Sequence, residues 1–295
     1  MSSLMKSRFN ELEHLILKKR LSNFKMVAFD MDGTLLNKDH QLSERTIASV
    51  KMAAQANLIV LLATGRMTSA VKNHLEKLGT PKLIVTHNGA LVKDLDTGVI
   101  YHHQTISKRV VIKLLELLNG LDTVVHFNFD DDIYLVRQHP YSELYSQELQ
   151  VNFSYVPSFN QLEGEPTTIV LTDKKAILVS LLEKLSKQFK QDFSSVIVPW
   201  KDGIWRMQFL PANTSKGKAV LQVAHHFGIH PEEIISFGDN YNDIEMVTET
   251  GLGIAMANAV PELKQVADFV TVSNQEDGVA HVLEALLSIG KVWRK

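Results

Sequence analysis

Phe29-Asp30-Met31-Asp32-Gly33-Thr34-Leu35-Leu36 is the stretch on which the reading of this chain turns. The apolar run before it, at 25–29, has the texture of a strand buried on both faces, and LIVLLA at 58–63 is a second. Between them Ser43 is placed to cap a helix whose Ile47, Val50 and Ala54 recur at helical spacing, giving strand, helix, strand. Two carboxylates at i and i+2 of an extended chain lie on one side of it, and Gly33 lets the chain turn away at once. Asp30 and Asp32 are thereby placed to share one centre at the carboxyl end of a strand, where open α/β sheets bind ligands. One can attack and the other can move the proton. Taken alone, the pair reads equally as a solvated acidic turn. An EF-hand is excluded, because Leu35 stands where that loop needs Gly and Gln41 where it needs Glu.

Working outward, a helix is expected after Gly65 and Arg66, running to about Leu78 and stopped by Gly79, and then a strand at 83–86. From about residue 91 the strand-like pieces come in pairs: 91–93 with 99–102, 124–129 with 133–137, and 195–198 with 204–210. Helical patterns at 108–118 and 174–189 accompany them, which suggests an antiparallel sheet with helices on one face. Past Pro211 helices and strands alternate again up to a final helix at 278–288. The expected fold is α/β: a doubly wound, mainly parallel, Rossmann-like core sheet from 21–88 and 211–295, with an α+β cap inserted at 89–210. Residues 1–20 read as an N-terminal extension, in part a short amphipathic helix.

Composition narrows the classes. The chain has 295 residues, 45% of them hydrophobic and 22% charged, with a net charge of −2, which is ordinary for a two-domain globular protein. The balanced charge gives no field for nucleic acid or an anionic membrane surface. Cysteine is absent, which excludes disulfides, thiolate catalysis and zinc–thiolate sites and fits a reducing cytoplasm. No apolar run approaches the ~20 residues that span a bilayer. A cytoplasmic location is therefore expected.

A second acidic cluster, Gly238-Asp239-Asn240-Tyr241-Asn242-Asp243, follows the strand expected at 234–237. If that strand neighbours the first, Asp239 faces Asp30 and Asp32. Carboxylates so close need a cation, and an all-oxygen set of this kind suits Mg2+. Thr64, in Ala63-Thr64-Gly65-Arg66, ends the LIVLLA strand and can offer its hydroxyl and the following amides, Gly65 first, to a phosphate. Lys216 opens a helix beside the acidic cluster, where its ammonium would neutralise nucleophile and phosphoryl group alike. Each segment by itself is also an ordinary cap, turn or surface lysine.

Together and in this order, FDMDGTLL, ATGR, SKGKAV and GDNYNDIEM resemble the haloacid dehalogenase-like superfamily, in its Cof-type branch with the cap between the second and third motifs. THNGA, IAMANA and EDGVA agree, and the resemblance runs from about Lys25 to Leu287. It implies an Mg2+-dependent phosphatase acting on a small phosphorylated metabolite, a sugar phosphate or nucleotide-like cofactor, through an aspartyl-phosphate on Asp30. Asp32 would be the acid and then the base. Thr64, Gly65, Lys216 and Asn242 would hold the phosphoryl oxygens, with Mg2+ on Asp30, Asp32 (through its backbone carbonyl) and Asp239, and Asp243 supporting from behind. A phosphotransferase or mutase using the same intermediate, or a non-catalytic binder of phosphorylated metabolites, are the alternatives. Oligomeric state is not legible.

Arg66, Asn88 and Arg206 are candidate substrate contacts, the last in the final cap hairpin. Trp200 and Trp205 read as packing residues of that hairpin, and Asp130-Asp131-Asp132 as a hairpin turn. His226 and His230, though four apart, are separated by Gly228 and followed by Pro231, which breaks the helix that would align them on a metal.

Overall fold

In a computed structural model, which describes residues 10–15, 23–80, 83–149 and 151–289, the chain builds two sheets. The first is eight-stranded. It contains β1 (Met26–Phe29), β2 (Ile59–Ala63), β3 (Leu83–Thr86), β4 (Leu91–Asp94) and β5 (Ile100–His103). A second sheet takes β6 (Val124–Phe129), β7 (Asp132–Leu135), β8 (Ser154–Tyr155), β9 (Thr168–Lys174), β10 (Phe193–Pro199) and β11 (Ile204–Pro211). The chain then returns to the first sheet with β12 (Ile234–Gly238), β13 (Leu252–Ala255) and β14 (Phe269–Val270), in the order β14-β13-β12-β1-β2-β3-β4-β5. All its pairings are parallel except β3–β4 and β4–β5.

The apolar strands are unbroken because helices cover both faces. Val27 and Phe29 point into one core cluster, with Val50 and Ala53 of α1 (Glu44–Gln55). Met26 and Ala28 point into the other, as the period of two requires. The short α2 (Lys72–Leu78) starts five residues later than the sequence suggests. Residues 67–71 form turns instead, and the Ser69 amide donates to Asp131 of the second sheet at 2.7 Å. Of the N-terminal extension, residues 10–15 are helical and Leu12 is buried in the first cluster; the rest lies outside the described residues.

In the second sheet, ordered β10-β11-β9-β6-β7-β8, α3 (Lys108–Leu118) and α5 (Lys175–Phe189) cover one face through Val110, Leu114, Leu178 and Leu181. Asp130 and Asp131 make the β6–β7 turn, as expected, and Asp132 opens β7 opposite Phe129. Three elements are additional to the sequence reading: the two-residue β8, β9, which lies between β11 and β6, and α4 (Pro140–Leu149). The β4–β5 hairpin, expected in the cap, extends the eight-stranded sheet, since Thr86 to Leu91 is a tight turn that leaves β4 only the β3 edge to pair with. The division we propose therefore puts the passage from core to cap after His103 and the return at Pro211. Met67 of the core packs on Ile133, Leu135 and Val151 of the cap, and Lys93 bonds Asp130 at 2.9 Å.

α6 (Lys216–His226) covers the core face holding Met26 and Ala28 through Ala219, Val220 and Val223. α7 (Ile244–Glu249), α8 (Pro261–Val266) and α9 (Gly278–Ile289) complete the core layers. Among the described residues no helix is long and apolar enough to cross a membrane.

The cap contains an acid-sensitive residue. His126 is fully buried, stacked on Tyr145 (centroids 4.7 Å apart) and on Phe153, with Nδ1 unpartnered and Nε2 3.2 Å from the Ser142 hydroxyl. Burial pushes its pKa down to about 3. The unfolded chain then binds the proton more readily than the folded one below about pH 6.5, so this contribution to stability is present above that pH and fades as pH falls towards 3. Between pH 7.5 and 5 the loss should be about 2 kcal/mol from this residue. In His126→Phe, which keeps the stack, urea unfolding should show an acid loss smaller by that amount; an unchanged loss would show that folded His126 binds its proton as readily as the unfolded chain does.

Candidate active site

β1 and β12 are parallel neighbours, with Phe29 beside Phe237, so the residues that follow each strand meet at the same sheet edge. Asp30 continues the ladder by one bond, its amide donating to Phe237 O at 3.0 Å. By strand alternation its side chain lies on the Met26/Ala28 side, the side covered by α6. Lys216 is the first residue of that helix. It is 2% exposed, and its Nζ lies 2.5 Å from Asp30 Oδ1 and 2.8 Å from Asp243 Oδ1. The helix is started by Ser215, whose hydroxyl accepts the Lys218 amide at 3.2 Å.

Asp243 is buried and fully committed. Its other oxygen accepts the amides of Asp239 and Asn240, each at 3.0 Å. This fold-back needs the glycine before it, because a Cβ on Gly238 would collide with the Asp243 side chain. Gly33, at φ +83°, likewise passes so close to the Asp239 carboxylate that a Cβ has no room.

Asp30, Asp239 and Asp243 each bring an oxygen within 4.8 Å of one another. Burial first, and then the negative charge of Asp243, push Asp239 up to about 7 and Asp30 well above its ordinary value, against the pull of Lys216. These carboxylates are short of positive charge. Asp30, Asp32, Asp239 and Asp243 face two permanent cations, Lys216 and Arg66, leaving a deficit equal to one divalent ion, and hard oxygen donors suit Mg2+. The residues therefore fit that metal. Asp243 is occupied by Lys216 and two amides, which leaves Asp30 and Asp239 as the carboxylates free to bind it.

Asp32 is held apart. Arg66 grips its carboxylate with Nη2 at 2.5 Å and Nε at 2.7 Å, and His40 Nδ1 lies 3.4 Å away. Burial works to raise the Asp32 pKa, but the hydrogen bonds from His40 and Arg66 outweigh it and hold the group ionised. Thr64 is buried, and its hydroxyl accepts the Arg66 amide at 3.1 Å, so its own hydrogen is free for an acceptor in the cleft. Asn242 lines the same cleft, but its amide nitrogen donates to Asn88 Oδ1 at 2.8 Å, and Asn88 in turn donates to Gln208 of the cap at 2.6 Å. Asn88 thus connects core to cap.

The structure brings all the sequence candidates, from Asp30 to Arg206, to one cavity of about 340 Å³, except Asp243, which lies behind it. His40, Tyr145, Glu148 and Gln208 join them and were not singled out from sequence. His40 lay within reach, as a histidine ten residues after the first aspartate. Tyr145 and Glu148 sit on the unforeseen α4. Trp200 lines the cavity as well, with the Arg206 guanidinium 3.6 Å over its ring, whereas Trp205 packs in the cap core beneath Lys175.

Residues 27–283 match the family model of haloacid dehalogenase-like hydrolases. Similar proteins include the 5-amino-6-(5-phospho-D-ribitylamino)uracil phosphatase YwtE of Bacillus subtilis, 31% identical over 90% of this chain and 98% of that one. Phosphatase YwpJ of the same organism is 30% identical over 89% and 100%. A crystal structure of a Thermotoga maritima protein matches with a TM-score of 0.77 at 29% identity, covering 88% of this chain and 97% of the other.

Proposed function

We propose a mechanism from one premise: this chain belongs to the haloacid dehalogenase-like hydrolase family. It is a phosphomonoesterase, and its substrates are small phosphorylated metabolites. The observation that carries the finer reading is the buried Lys216 ammonium shared by Asp30 and Asp243 beside Asp239. It leaves one Asp30 oxygen as the unblocked nucleophile in a cavity large enough for a phosphate ester.

In our reading Asp30 attacks phosphorus, the ester P–O bond breaks, and the departing oxygen takes a proton from Asp32. Asp32, again a carboxylate, then draws a proton from water, whose oxygen attacks the aspartyl-phosphate and frees inorganic phosphate. Splitting the displacement in this way replaces one difficult step with two easier ones. Lys216, the Thr64 hydroxyl and the Gly65 amide are the groups for the phosphoryl oxygens, whose positioning and neutralisation make up most of the catalysis of such transfers. Mg2+, held by Asp30, Asp239 and the Asp32 backbone carbonyl, would supply further charge neutralisation at the phosphoryl group. The bound state of Asp32 suits the second step. For the first, Arg66 has to exchange it for an oxygen of the incoming ester, and the freed carboxylate has to take up a proton from solvent, which it then passes to the departing oxygen. The cysteine-free composition accords with a cytoplasmic setting.

Release of inorganic phosphate from para-nitrophenyl phosphate and a panel of phosphorylated metabolites tests this. Activity should fall about 100-fold or more in EDTA and return with Mg2+, as expected for several kcal/mol of charge stabilisation. Full activity in EDTA would remove the metal from the mechanism.

A further inference from the structure

The cavity has a floor and a roof. Asp30, Thr64, Lys216 and Asp239 make the floor, and the cap supplies the roof with Val170, Val196 and Val198 beside Tyr145, Glu148 and Arg206. Arg206 and Glu148 are the charged residues of this roof among the described residues.

Arg206 is unusually constrained for a cap side chain. Its guanidinium lies 3.6 Å over the Trp200 ring and 4.5 Å over that of Tyr145. Nη2 donates to Glu148 Oε2 at 2.8 Å, and Trp200 Nε1 donates to the same oxygen at 2.9 Å. Arg206 Nε is buried and has no acceptor among the described residues. A buried N–H without a partner is unfavourable, and an acceptor that reaches it would relieve this.

The stack also weighs against a mode of binding. Tyr145 stacks on His126 at 4.7 Å as well as on Arg206, and Trp200 makes a T-shaped contact with Tyr141 at 5.8 Å in addition to its own contact with Arg206. Both roof rings are thus already engaged before a heterocyclic base arrives. A second anionic group is disfavoured too, since Glu148 already neutralises the guanidinium and repels an anion beside it. What remains is a donor and an acceptor side by side, neutral in sum, over a patch of valines. That is the complement of adjacent hydroxyls on an aliphatic chain or ring, each of which both donates and accepts.

We propose that Arg206 and Glu148 are the specificity-determining pair for the end of the substrate away from the phosphate, and that they select a phosphorylated polyol. Phosphates bearing an aromatic base or a second anionic group are discriminated against. The inference rests on the phosphatase reading above. It also accords with the cavity volume, at the small end of the ~300–1,000 Å³ typical of ligand pockets.

The test is a kcat/KM comparison with Mg2+ present. Substrates are ribose 5-phosphate against 2-deoxyribose 5-phosphate, glucose 6-phosphate against 2-deoxyglucose 6-phosphate, then adenosine 5′-monophosphate, flavin mononucleotide and para-nitrophenyl phosphate. The wild-type protein should prefer the hydroxylated member of at least one sugar pair by about 30-fold, the value of a hydrogen bond to a charged group. It should also prefer that sugar to both base-bearing phosphates. In Glu148→Gln and in Arg206→Lys the preference within the pair should collapse to about threefold or less, whatever happens to the absolute rates, which a merely structural role would not bring about. Higher kcat/KM for the base-bearing phosphates, or an unaltered preference within the pair in both variants, overturns the inference while para-nitrophenyl phosphate hydrolysis leaves the phosphatase reading intact. No phosphate release from any member, para-nitrophenyl phosphate included, overturns both.

Discussion

Asp30→Asn is expected to give a folded protein whose phosphate release falls by about 10⁴-fold or more, because an amide cannot take the place of a carboxylate nucleophile. The stability of the variant is as informative as its rate. The substitution preserves shape and leaves Lys216 an acceptor at the position of Oδ1, now 2.5 Å from Nζ. It removes one of three negative charges that face one another within 4.8 Å. Since burial and Asp243 raise the Asp30 pKa well above its usual value, the ionised side chain is unfavourable in the metal-free site, and losing its charge should hold or raise the metal-free Tm. Mg2+ should raise the Tm of the wild type and do so less in the variant, which lacks a ligand. Thermal scans with and without Mg2+, alongside phosphate assays, check each part. Undiminished release would sink the nucleophile assignment. A metal-free Tm lowered by many degrees would mean that the Lys216–Asp30 pair stabilises the fold more than carboxylate repulsion opposes it.

The readable part of this site and the unreadable part differ for a physical reason. Asp30, Thr64, Lys216 and Asp239 each stand at the end of a strand or the start of a helix, with their neighbours in sequence fixing where they point. An apolar run, a turn glycine and a polar residue in the right order are enough to place them. Parallel pairing of β1 and β12 then brings the distant segments together. The roof has no such local code. Arg206 acquires its character from Trp200, six residues earlier and just past the end of the adjoining strand β10, and from Tyr145 and Glu148 on α4, a helix whose sequence, PYSELYSQEL, lacks a clear apolar stripe. β9 was hidden for a related cause. It is covered on both sides, so its threonines at 168 and 172 are buried alongside Ile169 and Leu171 and blur the alternation expected of a half-exposed strand. The β4–β5 hairpin is visible as a hairpin from its turn residues, yet nothing in its own sequence says which sheet it joins.

Lys216→Met should be the most destabilising change in the site. The methionine stem fills the apolar path of the lysine, so the loss is confined to the ammonium. Without it, Asp30 and Asp243 stay buried with no counter-ion, and removing one partner of such a network costs about 3–5 kcal/mol. Part of that returns through the shared cluster: Asp243 keeps the amides of Asp239 and Asn240, and Mg2+ at Asp30 and Asp239 screens the rest. The deficit measured by urea unfolding should therefore shrink when Mg2+ is saturating. The rate behaves differently, because Mg2+ is already present in the assay and cannot stand in for a donor aimed at the phosphoryl oxygens. A drop in kcat of about 10³-fold is expected even at saturating Mg2+. Lys216→Arg separates charge from shape. It restores the positive charge, but at a position 2% exposed the wider, planar guanidinium cannot bond Asp30 and Asp243 as one ammonium does, so stability should recover more than rate. Equal recovery of both would show that charge alone is required there, and a Lys216→Met protein as stable as wild type without metal would show that the carboxylates are protonated in the resting site.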